Sequence, residues 1–270
     1  MDARRELPVF PPAALARPTT ELAYLPTADD AYVREFRARV VALPPGGVVL
    51  DRTYFYPTGG GQPSDRGTLV AEGRSRSEVV DVNKSGASVV HRLRGGAGSR
   101  PDLHLGDEVE GSIDWDRRHR HMRMHTAQHF LSGRLFTRTG RRTRRANFSG
   151  TRAVLELDGS LDDALVAVLA DDVRSVVASP RTVSIRHVPR SEWDRHPLAE
   201  RSGLVPLPPQ VDPVRVVEID GFDLCPCGGT HLRSTAEIGS VVIERPLPLA
   251  DGGSRLVFSL APDPGGARPG

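Results

Sequence analysis

Short apolar runs separated by turn residues dominate the first part of the chain. Val48-Val49-Leu50, Val79-Val80 and Val89-Val90 alternate with Gly/Pro/Asp/Ser clusters between about Ala31 and Gly111. That spacing predicts short strands, and with them a small β-barrel or a strongly bent sheet. The pattern changes near Asp114. A helix is predicted with Asp116 as its cap, running to about Thr139 and stopped by Gly140. A strand over 152–157 should follow, then a second helix over 161–178. There Leu165, Val168, Leu169, Val173, Val176 and Val177 recur at helical spacing, and Pro180 ends the run. Residues 182–188, 214–219, 238–243 and 255–260 read as further strands, and the proline-rich stretch 189–213 as a long irregular loop. The predicted class is therefore α+β, a small N-terminal β-barrel followed by an α+β domain. The expected divisions are an irregular arm over 1–30, the barrel-like domain over 31–112, the second domain over 113–260 and a flexible tail over 261–270.

Composition narrows this picture. A chain of 270 residues, 38% hydrophobic and 26% charged, can fill one large core or two ordinary ones. No stretch approaches 18 consecutive apolar residues, so no membrane-spanning helix is expected. The proline-broken N-terminus reads poorly as a secretory signal. Two cysteines exclude a disulfide scaffold and fit a reducing compartment, which makes the cytoplasm the expected location. Net charge is only +2, but its distribution is uneven: Lys84 is the sole lysine, and the segment from Arg117 to Arg145 holds ten arginines and no acidic residue. The remainder of the chain then carries −8. A basic block in an otherwise acidic chain is a candidate polyanion footprint. Arg120, Arg123, Arg134 and Arg138 should lie on the solvated outer face of the first helix, opposite His125. Arg141, Arg142, Arg144 and Arg145, beyond Gly140, are expected on a loop free to reach phosphates.

Two motifs carry metal chemistry. His125 and His129 stand four residues apart, which on a helix places both imidazoles on one face within reach of a single ion. Met122, Ser132 and Phe136 share that face, so it should point into protein. The second motif is Cys225-Pro-Cys227-Gly-Gly-Thr-His231, where Cys227 and His231 flank a glycine turn. Three nitrogens and one sulfur suit zinc. Cys225 could replace Cys227 as a ligand; a Cys-x-Cys disulfide closes too small a ring for relaxed geometry, and Cys227 is the preferred ligand. A zinc protease is disfavoured because Thr126 stands where HExxH has its glutamate.

With these motifs in place, the sequence resembles the editing domain of alanyl-tRNA synthetase and its free-standing relatives, the AlaX proteins. The resemblance rests on His125-x-x-x-His129, Cys227-Gly-Gly-Thr-His231 and the segment from Asp51 to Gly67 that contains Thr58-Gly59-Gly60-Gly61-Gln62, in that family's order. It implies that the second domain is a zinc-containing editing domain and that the chain hydrolyses the ester of a mischarged aminoacyl-tRNA. With no aminoacylation domain in the sequence, it would act in trans. Zinc would be held by His125, His129, Cys227 and His231. Four tight ligands close a zinc site, whereas catalysis needs an open position, so His231 is expected to be the looser ligand and a possible proton shuttle. Gln62 would hydrogen-bond near the reaction. Gly59, Gly60 and Gly61 would let the backbone approach the substrate closely. Asn147 and Ser149 would read a side-chain hydroxyl, and Arg141, Arg142, Arg144 and Arg145 would contact RNA. Seryl-tRNA(Ala) is the default substrate. The rivals are a deacylase of threonyl- or fluorothreonyl-tRNA(Thr) and, from another class, an RNA-binding module with a structural zinc.

Overall fold

A computed structural model describes residues 18–96, 102–199 and 207–261, with the side chain of Ser149 outside that set. Its strands and helices run in the order β1 (Glu21–Leu22), β2 (Glu35–Ala42), β3 (Gly47–Leu50), β4 (Arg52–Thr53), β5 (Gly67–Ala71), β6 (Ser77–Ser85), β7 (Ser88–Leu93) and β8 (Glu108–Ile113). Then come α1 (Trp115–Thr139), β9 (Thr143–Ser149), β10 (Arg152–Leu157), α2 (Asp163–Ala178), β11 (Val183–Val188) and α3 (Arg190–Trp193). The chain continues through β12 (Val214–Ile219), β13 (Asp223–Pro226), β14 (Val241–Ile243), β15 (Leu247–Pro248) and β16 (Ser254–Leu260). The class is α+β.

Alternation in the first part closes a ring of strands. In β2, Phe36, Ala38 and Val40 are buried while Glu35, Arg37 and Arg39 are exposed, the period-two pattern of a strand with one wet face. Six antiparallel pairings link β2, β3, β7, β6, β5 and β8 back to β2, so the closed barrel leaves none of these six strands as an open edge. Its filling includes Val48, Leu50, Phe55, Leu69, Val79 and Val82. His91 sits among them fully buried, with its Nε2 2.8 Å from Thr53 Oγ1.

Helix α1 leaves the barrel directly from β8. Its cap is Asp114 rather than the expected Asp116: the Asp114 carboxylate accepts from the Arg117 backbone N–H at 3.1 Å, and Asp116 lies inside the first turn. Gly140 ends the helix in the left-handed region at φ 70°, as its position suggested. All residues from His121 to Leu131 are buried, because elements pack around the helix on every side. The sheet β14-β16-β10-β9 supplies Phe148, Leu155, Leu256 and Phe258 to the second core, and α2 adds Leu169, Val173 and Val176. A separate sheet, β11-β12-β13, carries the cysteine motif at its end.

One buried ion pair joins the two cores. Arg118 on α1 meets Asp65 from the loop before β5, with both side chains fully buried. Arg118 Nε donates to Asp65 Oδ2 at 2.9 Å, and its remaining nitrogens donate to the Ala31 and Tyr54 carbonyls. Asp65 Oδ2 also accepts from the Tyr56 N–H at 2.6 Å.

Several expectations need correction. Residues 1–17 and 262–270, most of the supposed arm and tail, lie outside the described residues, but 18–30 are not irregular throughout: β1 pairs with β4, and Tyr24 is buried. Arg123 is buried rather than solvated, its Nε donating to the Ile238 carbonyl at 3.0 Å. Arg134 and Arg138 both pair with Asp172, so α2 covers that flank. The stretch after Gly140 becomes strand β9, because the apolar positions of 143–149 find a partner in β10. The proline-rich stretch contains α3, and β13 was not foreseen.

Two outcomes follow from this packing. Asp65→Ala should lower the unfolding free energy by about 3–5 kcal/mol, since it strands a buried guanidinium, and adding Arg118→Met should recover much of that loss in denaturant titrations. Burial holds His91 down at about 4, against an ordinary 6.5. The unfolded chain therefore binds the extra proton between those values, and stability present above pH 6.5 should fall by ~3 kcal/mol as pH drops towards 4. His91→Gln should flatten that part of the stability–pH curve.

Candidate metal centre and its cleft

The helical spacing of His125 and His129 places their rings on the face of α1 turned towards the cysteine motif, with ring centroids 5.1 Å apart. Strand β12 guides the second motif into place: Cys227 N–H donates to the Arg215 carbonyl at 3.1 Å, and the Arg215 guanidinium reaches back to the Cys227 carbonyl. The chain then turns through Gly228 and Gly229. A Cβ on Gly229 would lie 2.1 Å from His125 Cε1, so only glycine lets the turn pass the imidazole. His231 emerges beyond it, its ring 4.2 Å from that of His125 and 4.6 Å from that of His129.

The result is one cluster of four ligand atoms. His125, His129, Cys227 and His231 each offer one donor, all within 4.8 Å of one another. Cys227 Sγ lies 3.4 Å from the Nε2 of both His125 and His231. Cys225 is not in the group; it sits on β13 and lines a small cavity that also includes His129, so the geometric cluster contains Cys227 and not Cys225. The two cysteines form no disulfide.

Each imidazole is oriented through its second nitrogen. His125 Nδ1 is 2.9 Å from Gln62 Oε1, His129 Nδ1 is 2.9 Å from Asp223 Oδ2, and His231 Nδ1 is 3.3 Å from Thr126 Oγ1. Gln62, itself buried, also donates from Nε2 to Thr230 Oγ1 at 2.8 Å. With the Nδ1 atoms engaged, the Nε2 atoms are left for a cation, the outer-shell arrangement that accompanies histidine ligation. Burial alone would raise the Cys227 thiol, but the surrounding imidazoles reverse this and hold it well below its ordinary value. Burial pushes His125 and His231 below theirs. A thiolate ringed by imidazoles is a donor set fitted to a metal ion.

The cluster lies at the floor of an open cleft of about 800 Å³, and His125, His129 and Cys227 line it. Gly59, Gly60 and Gly61 form one wall. They make a tight turn in which Gly59 and Gln62 exchange backbone hydrogen bonds, and Tyr56 Oη donates to the Gly59 carbonyl at 2.7 Å. Gly61 has φ 82°, and a Cβ there would lie 2.3 Å from the Ala146 carbonyl oxygen; this contact docks the barrel loop on β9.

Other sequence-predicted residues fall elsewhere. His231 is fully buried and is not among the residues lining the cleft. Asn147 lines the adjoining groove instead of the metal cleft, and Ser149 ends β9 with its side chain outside the described set. Of the four arginines expected on a loop, Arg144 is paired with Asp251 at the cleft rim and Arg142 faces the small cavity beside Cys225. Arg141 lies against Gly159, and Arg145 alone opens on both cleft and groove. Sequence reasoning missed Asp223, Thr126 and Thr230. A carboxylate behind a histidine ligand is a general expectation, but many acidic residues could have filled the place.

Comparison with known proteins supplies relatives for this arrangement. The family described as tRNA synthetases class II (A) matches residues 23–117, and that described as threonyl and alanyl tRNA synthetase second additional domain matches residues 214–256. The alanyl-tRNA editing protein AlaX-M of Saccharolobus solfataricus is 32% identical over 248 residues, covering 90% of this chain and 100% of the relative. AlaX-M of Methanosarcina mazei is 37% identical over 243 residues, covering 86% and 94%. The alanine–tRNA ligase of Pyrococcus abyssi is 37% identical over 237 residues, but this chain spans only 25% of its length.

The cluster predicts a defined metal response. Chelator-treated protein should take up about one divalent ion per chain in a titration. His125→Ala, His129→Ala, Cys227→Ser and Gly229→Ala should abolish uptake, and Cys225→Ser should leave it intact. Asp223→Ala should weaken affinity roughly 10- to 100-fold by freeing the His129 ring.

Proposed function

Because the chain belongs to the AlaX family of alanyl-tRNA editing proteins, which are aminoacyl-tRNA deacylases, we propose that it hydrolyses in trans the ester joining a wrong amino acid to the 3′ end of a tRNA. The observation that carries this reading is the four-donor cluster at the floor of an open cleft, with each imidazole already oriented. The sulfur-and-nitrogen donor set fits zinc, held by His125, His129, Cys227 and His231. When bound, zinc supplies a Lewis acid that can polarise the ester or lower the pKa of water.

The chain's own groups do the rest. Gln62 is a positioning residue: it holds His125 from the barrel side and ties it to Thr230, so the metal motif and the glycine turn move as one unit. Asp223 fixes His129 in the same way. His231, held from behind by Thr126, is read here as a ligand and not as the proton carrier its position in the sequence suggested. The glycine turn presents backbone, without side chains, to whatever enters. Thr58 and Gln128 are polar groups on the cleft lining that can meet a substrate's β-hydroxyl. Separate barrel and second-domain cores support a division near residue 112, with the cleft between elements of both.

The preferred acyl groups are those with a β-hydroxyl, seryl-tRNA(Ala) first. Polar groups placed for a hydroxyl reject a substrate that lacks it, whereas one methyl distinguishes serine from threonine by only about 1–3 kcal/mol. Among the described residues, no helix is long and apolar enough to cross a membrane.

A deacylation panel of seryl-, threonyl-, fluorothreonyl-, glycyl- and alanyl-tRNAs tests this. Seryl or threonyl esters should be cleaved much faster than alanyl ones, and chelation should stop cleavage while circular dichroism stays unchanged. Cleavage of none by folded, metal-loaded protein would leave an RNA-binding module with a structural metal.

A further inference from the structure

Beside the metal cleft lies a second groove of about 570 Å³, and the two share Thr58, Gly59, Gly61, Arg145 and Ala146 in their walls. The outer groove is lined by three arginines, Arg66, Arg117 and Arg145, against one carboxylate, Asp81. That carboxylate is already engaged: Ser64 Oγ donates to it at 2.6 Å and Asn83 Nδ2 at 2.7 Å. Most exposed arginines elsewhere on this protein find a partner, as Arg37 does with Glu110 and Arg94 with Glu78. Arg66 and Arg145 form no ion pair among the described residues. Arg117 is half-buried, and its Nε donates to the Ser64 carbonyl at 2.9 Å.

The buried ion pair explains why these charges converge. Asp65 and Arg118 are locked together inside, so their chain neighbours Arg66 and Arg117 must emerge side by side outside. Burial, and after it the adjacent Arg66, push Arg117 below its ordinary value, although Asp65 and Asp114 act in the opposite direction. Strand β9 then brings Arg145 to the opposite wall.

We infer that this groove is the path of the RNA backbone, with Arg66, Arg117 and Arg145 binding phosphates of the single-stranded 3′ end whose acyl terminus lies over the metal cluster. The inference rests on the reading of the cleft as an aminoacyl-RNA site. Guanidinium groups suit phosphate oxygens, and a positively charged groove that follows a flexible strand is the usual way single-stranded nucleic acid is held. The groove replaces the Arg141–Arg145 loop as the RNA contact, retaining only Arg145 from it.

The test is binding of a fluorescein-labelled, non-acylated RNA hairpin with a single-stranded 3′ tail, followed by anisotropy across a salt series in the metal-loaded full chain. Arg66→Ser with Arg145→Ser should weaken binding at least tenfold at low salt. It should also reduce the slope of log affinity against log salt by roughly 1.5, the counterions of about two phosphate contacts. Arg174→Ser with Arg186→Ser removes the same charge from α2 and β11, outside the residues lining either groove, and should bind as the parent does. Trimming the 3′ tail should erase the difference between parent and groove variant. The inference is overturned if the parent does not bind the tailed hairpin, if the groove variant keeps the parent's slope, or if the off-groove variant weakens binding equally. Hydrolysis is measured separately. Groove-dependent binding without cleavage of any ester retains the groove and sinks the deacylase reading; cleavage with groove-independent binding does the reverse.

Discussion

The Asp65–Arg118 ion pair is the constraint on which the arrangement depends. Two charges taken fully out of water cost several kcal/mol each, and they are tolerated only because every strong donor and acceptor is met. Here Arg118 is satisfied by Asp65 and two carbonyls, and Asp65 by Arg118 and the Tyr56 N–H. Such a pair adds geometric definition more than net stability. It locks the loop holding Gln62 to the first turn of the helix holding His125. Gln62 stands three residues before Asp65, and its amide reaches His125 at 2.9 Å. The barrel thus helps build the candidate metal centre, although none of the four clustered donors belongs to it.

Two close backbone approaches complete the joint. Gly61 lets the barrel loop press on the Ala146 carbonyl, and Gly229 lets the cysteine turn pass the His125 ring. At both places a methyl group would collide with atoms that cannot move without disturbing a ligand. One wall of the cleft, the glycine turn, is therefore backbone. Beside it, the imidazoles are oriented from three separate elements, by Gln62, Asp223 and Thr126.

The same joint orders the charge outside. Arg66 and Arg117 are sequence neighbours of the buried pair, so the interaction that joins the two cores also places two arginines on the outer groove. Arg134, Arg138 and Arg144, by contrast, are neutralised by Asp172 and Asp251. A count of ten arginines between residues 117 and 145 did not distinguish these fates.

Much was legible in the sequence because it is written in local periodicity or fixed spacing. Helix α1 with its Gly140 stop, strand β12 and the four candidate ligands follow from patterns spanning a few residues, where backbone geometry alone decides which side chains share a face. The AlaX resemblance extended that reading to the glycine turn. What the sequence left open depends on partners far along the chain. Asp223 behind His129, Asp172 against Arg134 and Arg138, and the conversion of 143–149 from loop to strand each require a segment distant in sequence. Cys225 and Cys227 differ only in the direction their side chains take from the end of β13, which the packing of β12 and α1 decides. Local steric preferences act between neighbours and can be read in order. Long-range hydrogen bonds and ion pairs form only after the chain has folded back on itself, so tertiary structure alone chose among the many carboxylates and arginines that could have met.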